Sequence, residues 1–315
     1  METTRPGAFA RSRAFAFLCI GALAALFSHA ALAQQANINV GYTTAADFVP
    51  LFVGKEKGIF AKHKLDVTMT RIALASNVPS ALMSGSLQIG MGTSPMLLQA
   101  AEGGLGLVAV AGVSRFKKTN SMASVVARQG LKIGNPGDLR GKKIGVPGLN
   151  SMFDVIFRKW LLNNKVQLNQ VTFVEAPFPQ MKDLLKSGTL DAVLAIEPFR
   201  TGITRDKTGY VVADFISDVR DDILGAFWMA TSEWASKNAQ TVRSFRDAYA
   251  EAIQYALKNP AEAKTLEAKY LGVAGPVVPS YSVEVSPADL ELFAAMGREI
   301  GSLRAPVDVS KLIWK

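Results

Sequence analysis

Five short segments place small polar residues where a strand hands over to a helix: TTAADFVP (43–50), ASNVPSAL (75–82), GTSP (92–95), PGLNSMFD (147–154) and AIEPF (195–199). Asp47, Ser76, Asn77, Asn150 and Ser151 are of the types that cap a helix start, and Pro95 and Pro198 suit a helix's first turn. A helix start carries unpaired N–H groups and the positive end of the helix dipole. Several of them converging on one cleft would bind the oxygens of an anion without covalent chemistry. Taken singly, each residue needs no more than a capping role; the recurrence is the functional signal.

Covalent chemistry finds little support. The one cysteine, Cys19, and one of the two histidines, His29, fall in an N-terminal stretch that reads as a secretory leader. Arg5, Arg11 and Arg13 precede the apolar run AFAFLCIGALAALF (14–27), and Ala31-Leu32-Ala33 supplies small residues for cleavage before Gln34. The run is short for a bilayer span of about 20 residues. Cleavage removes every thiol and leaves His63, which sits among lysines in KEKGIFAKHKLDV (55–67) and reads as a solvated surface residue. No paired-ligand spacing for zinc is present, so no metal and no cofactor is expected. Asp47, Glu197 and a distant His63 form no recognisable acid/base or nucleophile constellation, which disfavours an exported enzyme.

Removing Arg5, Arg11, Arg13 and Glu2 from 35 basic and 26 acidic residues leaves an excess of seven positive charges. That excess weakly favours anionic partners, and its scatter disfavours nucleic acid.

The elements that must position the loops are written twice. LMSGSLQIGMGTSP (82–95) and LKSGTLDAVLAIEP (185–198) share Leu82/Leu185, Ser84/Ser187, Gly85/Gly188, Leu87/Leu190 and Pro95/Pro198 at a constant offset. LVAVAGVS (107–114) and YVVADFIS (210–217) keep that offset and both read as short buried strands. INVGY (38–42) corresponds in kind to KIGV (143–146), and DVTM (66–69) to QVTF (170–173). Gly85 and Gly188 fall where a helix ends in a left-handed residue. Each half reads as alternating strands and helices, hence two α/β lobes with mostly parallel sheets flanked by helices. The polar loops then lie at strand carboxyl ends, the edge where open α/β sheets bind ligands.

SMASVVARQG (121–130) and GAFWMATSEW (225–234) are alike in pattern and are expected to carry the chain between the lobes and back. Helices are expected over 241–259, with Val242, Phe245, Tyr249 and Ile253 on one face, and over 286–300, both packing on the first lobe. The domain reading is a leader over 1–33, a first lobe of 34–120 plus 218–315, and a second of 121–217.

PLFVGKEKGIFAKHKLDV (50–67), ALMSGSLQIGMGTSP (81–95), DLRGKKIGVPGLNS (138–151) and LKSGTLDAVLAIEPF (185–199) resemble the periplasmic substrate-binding proteins of ABC importers, in the branch for nitrate, taurine and alkanesulfonates. The resemblance implies a two-lobed periplasmic-binding-protein fold (type II) that closes on a small anion and works, as a monomer in the periplasm, with a permease and an ATPase. Residue by residue it implies ligand contacts at Thr44, Phe48, Ser76, Asn77, Thr93, Ser94, Asn150, Ser151 and Glu197. The cysteine-rich motif of the pyrimidine-precursor relatives is absent. If two or more of Phe48, Phe178, Phe199, Phe227 and Trp228 line the cleft, an aromatic carboxylate or bulky sulfonate suits it better than nitrate. Arg115 is a candidate counter-charge or a solvated turn residue. Glu197 would repel an anion unless it meets an amine or a basic residue, and otherwise braces the hinge. A sensor or receptor module of the same fold is the competing class.

Overall fold

The computed structural model describes residues 1, 2 and 35–315, so nearly all of the expected leader lies outside the described residues. From Ala36 the chain alternates strands and helices twice. The first pass is β1 (Ala36–Tyr42), α1 (Val49–Glu56), the one-turn α2 (Ile59–Lys62), β2 (Leu65–Arg71), α3 (Val78–Met83), β3 (Ile89–Gly92), α4 (Ser94–Glu102) and β4 (Leu107–Phe116). After β5 (Ala123–Arg128) the second is β6 (Lys143–Val146), α5 (Met152–Asn163), β7 (Thr172–Glu175), α6 (Met181–Lys186), β8 (Ala192–Ile196), α7 (Phe199–Arg205) and β9 (Gly209–Ala213). There follow α8 (Phe215–Val219), β10 (Ile223–Thr231), α9 (Ser232–Lys237), α10 (Ala239–Lys258), α11 (Pro260–Leu271), the short β11 (Ser280–Tyr281) and α12 (Pro287–Glu299).

The strands form two sheets, ordered β2-β1-β3-β10-β4-β11 and β7-β6-β8-β5-β9. In each, a central strand pairs in parallel on both sides, β1 with β2 and β3, β6 with β7 and β8. In each, one strand from the other pass runs antiparallel beside the third strand. β10 lies between β3 and β4, and β5 between β8 and β9. The two segments expected to cross between the lobes are therefore the strands that exchange sheets, and each visitor makes its sheet mixed, joined in the first sheet by the short antiparallel β11 at its edge.

The repeat extends to individual hydrogen bonds. Ser84 Oγ donates to Ala81 O at 3.1 Å and Ser187 Oγ to Leu184 O at 3.1 Å. Ser84 meets Ser86, and Ser187 meets Thr189, each at 2.9 Å between hydroxyl oxygens. Leu87 N–H reaches back to Ala81 O and Leu190 N–H to Leu184 O, both at 3.1 Å. These turns require Gly85 and Gly188, both at φ +76°, a region costly for any side chain. Gly85→Ala and Gly188→Ala should each lower stability by about 1 kcal/mol, and by similar amounts, in urea unfolding. Unequal losses would show that the two turns are not mechanical equivalents.

One stretch departs from expectation. The segment 210–217 is strand only to Ala213, and residues 215–219 are helical. Phe215 is fully buried against Phe153 and Phe157 of α5, at 6.0 and 5.8 Å between ring centroids. That packing overrides the local β pattern.

α10 buries Val242, Phe245, Tyr249 and Ile253, the expected face, and α12 is capped by Ser286 and Asp289 in a reciprocal box. Trp228 of β10 is fully buried among Phe48, Phe245 and Tyr249, joining α10 to the first sheet. α12 packs on both α4 and α5, and so touches helices from both passes. Among the described residues no helix is long and apolar enough to cross a membrane, and no group of three or more His, Cys, Asp and Glu is arranged to hold a metal ion.

Candidate functional site

A narrow cleft of about 40 Å³ opens between the carboxyl ends of the two sheets. From the first sheet's side come Thr43, Asp47, Phe48, Met91, Thr93 and Phe116; from the second come Pro147, Ser151, Met152, Phe153, Phe178 and Ile196. The wall is mainly apolar. Phe153 sits edge-on to Phe116 and Phe178, at 5.7 Å between centroids in each case. Among the described residues, no lysine, arginine or histidine lines it.

The polar groups in this wall are few and unspent. Thr93 Oγ1 and Asp47 Oδ1 are buried without a hydrogen-bond partner; behind the wall Ser114 Oγ lies beside Asp47 and Trp228 Nε1 beside Tyr249 Oη, none of them in full hydrogen-bond geometry. A buried polar atom left unpaired costs roughly 1–3 kcal/mol, so a cluster of them signals a partner or ordered water. Ser151 Oγ accepts from Asp154 N–H at 3.5 Å, capping α5, which leaves its own proton free to donate.

Asp47 is 4% exposed, and burial pushes its carboxyl up to about 7. The neighbouring Ser114 hydroxyl opposes this in part, although neither Asp47 Oδ1 nor Ser114 Oγ attains hydrogen-bond geometry. Tyr249 is raised well above its ordinary value, by burial first and by the Asp47 charge second.

The nine residues expected to touch ligand divide into five groups. Phe48, Thr93 and Ser151 line the cleft. Thr44 and Ser94 are buried next to lining residues without forming the wall. Ser76 and Asn150 instead border a separate open groove with Met96, Gln99 and Leu149, and Asn77 is exposed at the start of α3. Neither Ser76 nor Asn77 makes a side-chain cap, and Asp47 makes none either.

Glu197, fully buried, belongs to the junction between the sheets. Its carboxylate accepts from Arg200 Nε at 2.7 Å and Thr201 Oγ1 at 3.0 Å. Its backbone oxygen accepts from Ala46 N–H at 3.4 Å, tying the end of β8 to the loop after β1. Arg200 continues to Ser124 Oγ at 3.0 Å and Ser121 O at 3.1 Å, at the entry of β5.

Arg115 faces Asp222 at 2.5 Å and Asp289 at 3.0 Å, not the cleft. His63 is no free surface residue: its Nε2 lies 2.9 Å from Glu251 of α10, with side-chain exposure of 24%. Of the five aromatics considered, Phe48 and Phe178 line the cleft, while Phe199, Phe227 and Trp228 do not. Sequence reading passed over Thr43, Met91, Phe116, Met152 and Phe153 as lining residues. Thr43 carried a usable signal, standing beside Thr44 at the end of β1. Phe116 and Phe153 carried none, because helical or strand apolar spacing is the same for core and cleft.

Comparison with known proteins agrees with this architecture. The nitrate import ATP-binding protein NrtC of Synechocystis sp. is 27% identical over 244 residues, covering 70% of this chain. The match covers 35% of NrtC, so the chain spans about a third of the length of that curated relative. A Brucella abortus protein named only as a binding protein is 27% identical over 291 residues, 91% of this chain and 84% of its own. Among solved structures, the alkanesulfonate-binding protein SsuA from Xanthomonas axonopodis pv. citri, bound to MOPS, superposes with a TM-score of 0.77 at 17% identity, covering 89% of this chain and 99% of SsuA. The fold is that of the periplasmic binding proteins. Residues 45–263, more than half of the chain, match the NMT1/THI5-like description. This chain belongs to the NMT1/THI5-like family.

Proposed function

We propose that this protein is an extracytoplasmic solute-binding protein of an ABC importer, which captures a small organic solute between its two sheets and delivers it to a membrane permease served by an ATPase. The observation that carries this reading is the cleft itself. It is walled by phenylalanines from both sheets and by residues of β10, and holds two unpartnered polar atoms, Asp47 Oδ1 and Thr93 Oγ1. Lobes formed by 34–120 with 218–315 and by 121–217 would close on the ligand about the crossings near 115–121 and 217–226. The aromatic wall favours an organic body, such as an alkanesulfonate, taurine or an aromatic carboxylate, over nitrate. Acidic oxygens would be met by the Thr93 and Ser151 hydroxyls and the N–H groups opening the 12-residue α5.

Titration calorimetry on protein unfolded and refolded to strip carried solute tests this. One saturable binder at about micromolar Kd, or about 8 kcal/mol, is expected from a panel of sulfonates, aminosulfonates and aromatic carboxylates. Narrowing the cleft with Ala226→Phe should weaken it by tenfold or more, on the order of 1.4 kcal/mol. Silence across the panel from a folded sample would sink the reading.

A further inference from the structure

The cleft's polar equipment is unbalanced. Among the described residues its lining contains a carboxylate and hydroxyls but no cationic side chain. Asp47 Oδ1 and Thr93 Oγ1, at 4% and 5% residue exposure, are both unpartnered. An ionised carboxylate only accepts hydrogen bonds; the Ser114 hydroxyl beside it is a neutral donor short of hydrogen-bond geometry, so a donor on the solute would meet an open acceptor at Oδ1. Four phenylalanine rings line the same space, Phe48, Phe116, Phe153 and Phe178, and the faces of such rings attract cations. An anionic group alone would face Asp47 with no opposing charge from the protein.

We propose that the solute carries an ammonium or an equivalent N–H donor, which Asp47 and Thr93 bind at the inner end of the cleft. This deepens the binding-protein reading and rests on it. Within the solute classes above, it selects an aminosulfonate or amino acid-like zwitterion over its amine-free counterpart. The acidic end then lies towards Ser151 and the start of α5, and the amine towards the loop after β1.

The titratable side chains facing Asp47 are Tyr249 of α10 and Tyr281 of β11, both raised well above the ordinary tyrosine value by burial and neutral in the working range. Beyond Tyr281, Glu267 is held by Lys264 at 2.7 Å and by the Gly275 N–H at 3.0 Å. Both tyrosines stay neutral in that range, which leaves Asp47 as the ionising group among the described residues that face this end of the cleft.

The test compares matched pairs by calorimetry: taurine with ethanesulfonate, 3-aminopropanesulfonate with propanesulfonate, and phenylalanine with 3-phenylpropionate. At about pH 8 the amine member of at least one pair should bind tenfold or more tightly, a difference of about 1.4 kcal/mol. Sulfonate and ammonium keep their charges down to about pH 5.5, so a fall of roughly tenfold in that preference reports protonation of Asp47. Asp47→Asn should erase the preference, and Thr93→Val should reduce it while leaving its pH dependence. Amine-free members binding as tightly as their partners, or a preference that survives in Asp47→Asn, would overturn this assignment while leaving the binding-protein reading standing. Silence from all six compounds would overturn both.

Discussion

Asp47→Asn will make the ligand-free protein more stable at about pH 8, by roughly 2–4 kcal/mol, and will leave its stability near pH 4 almost unchanged. The reason is the carboxyl's position, 4% exposed and unpartnered at Oδ1, which pushes its pKa from an ordinary 3.8 to about 7. Below about pH 4 the group is protonated folded and unfolded alike, and contributes nothing to the pH dependence. Between about 4 and 7 the folded state holds a proton that the unfolded state has released, so stability falls as pH rises. Above 7 the loss levels off, and three pKa units set its upper bound at about 4 kcal/mol. Asn cannot ionise and escapes the loss. Urea unfolding of both proteins at pH 4, 6 and 8 reads this directly. Equal pH profiles would mean that Asp47 is solvated or paired in solution. A group retained at that cost to stability is what a binding site accepts when the partner arrives with the ligand.

Arg200→Ala should be the most damaging single change outside the aromatic core, costing about 3–5 kcal/mol in urea unfolding. Glu197 is 0% exposed, and among the described residues Arg200 is the one cationic partner it has, at 2.7 Å. Removing the guanidinium strands that charge in the interior with only Thr201 Oγ1 and Thr201 N–H to hold it. It also releases the Ser121 carbonyl and the Ser124 hydroxyl, where β5 enters the second sheet. Adding Glu197→Gln to Arg200→Ala removes the stranded charge and should restore a large part of the loss, whereas a purely steric role for Arg200 would leave the double variant as unstable as the single.

The two-sheet architecture was legible because its repeat is local. Ser84, Gly85 and Leu87 encode a turn whose hydrogen bonds recur at Ser187, Gly188 and Leu190, and such motifs dictate structure within a few residues. The crossings were legible for the same reason, as two similar strands each following a complete set. The site was only partly legible. Capping types at helix starts mark loops correctly, but they do not say which loops face the cleft. Ser151 does, while Ser76 and Asn150 border a different groove. Glu197 was visible as a charge at a strand end, but its partner Arg200 lies on the next helical turn and its tie to Ala46 is long-range. Asp47 read as a helix cap because Asp before an apolar run usually is one. The groups it interacts with, Ser114, Tyr249 and Tyr281, come from far along the chain, which no local pattern encodes.

The central claim is that solute is held between the two sheets, against Asp47, Thr93 and Ser151. A crystal structure of the protein with the tightest binder from the calorimetric panel tests it most directly. The account predicts ligand density in the phenylalanine-walled cleft, with its nitrogen within hydrogen-bond distance of the Asp47 carboxylate and its acidic oxygens towards Ser151 and the first turn of α5. Density in the outer groove beside Ser76 and Asn150, with the cleft holding only solvent, would contradict it.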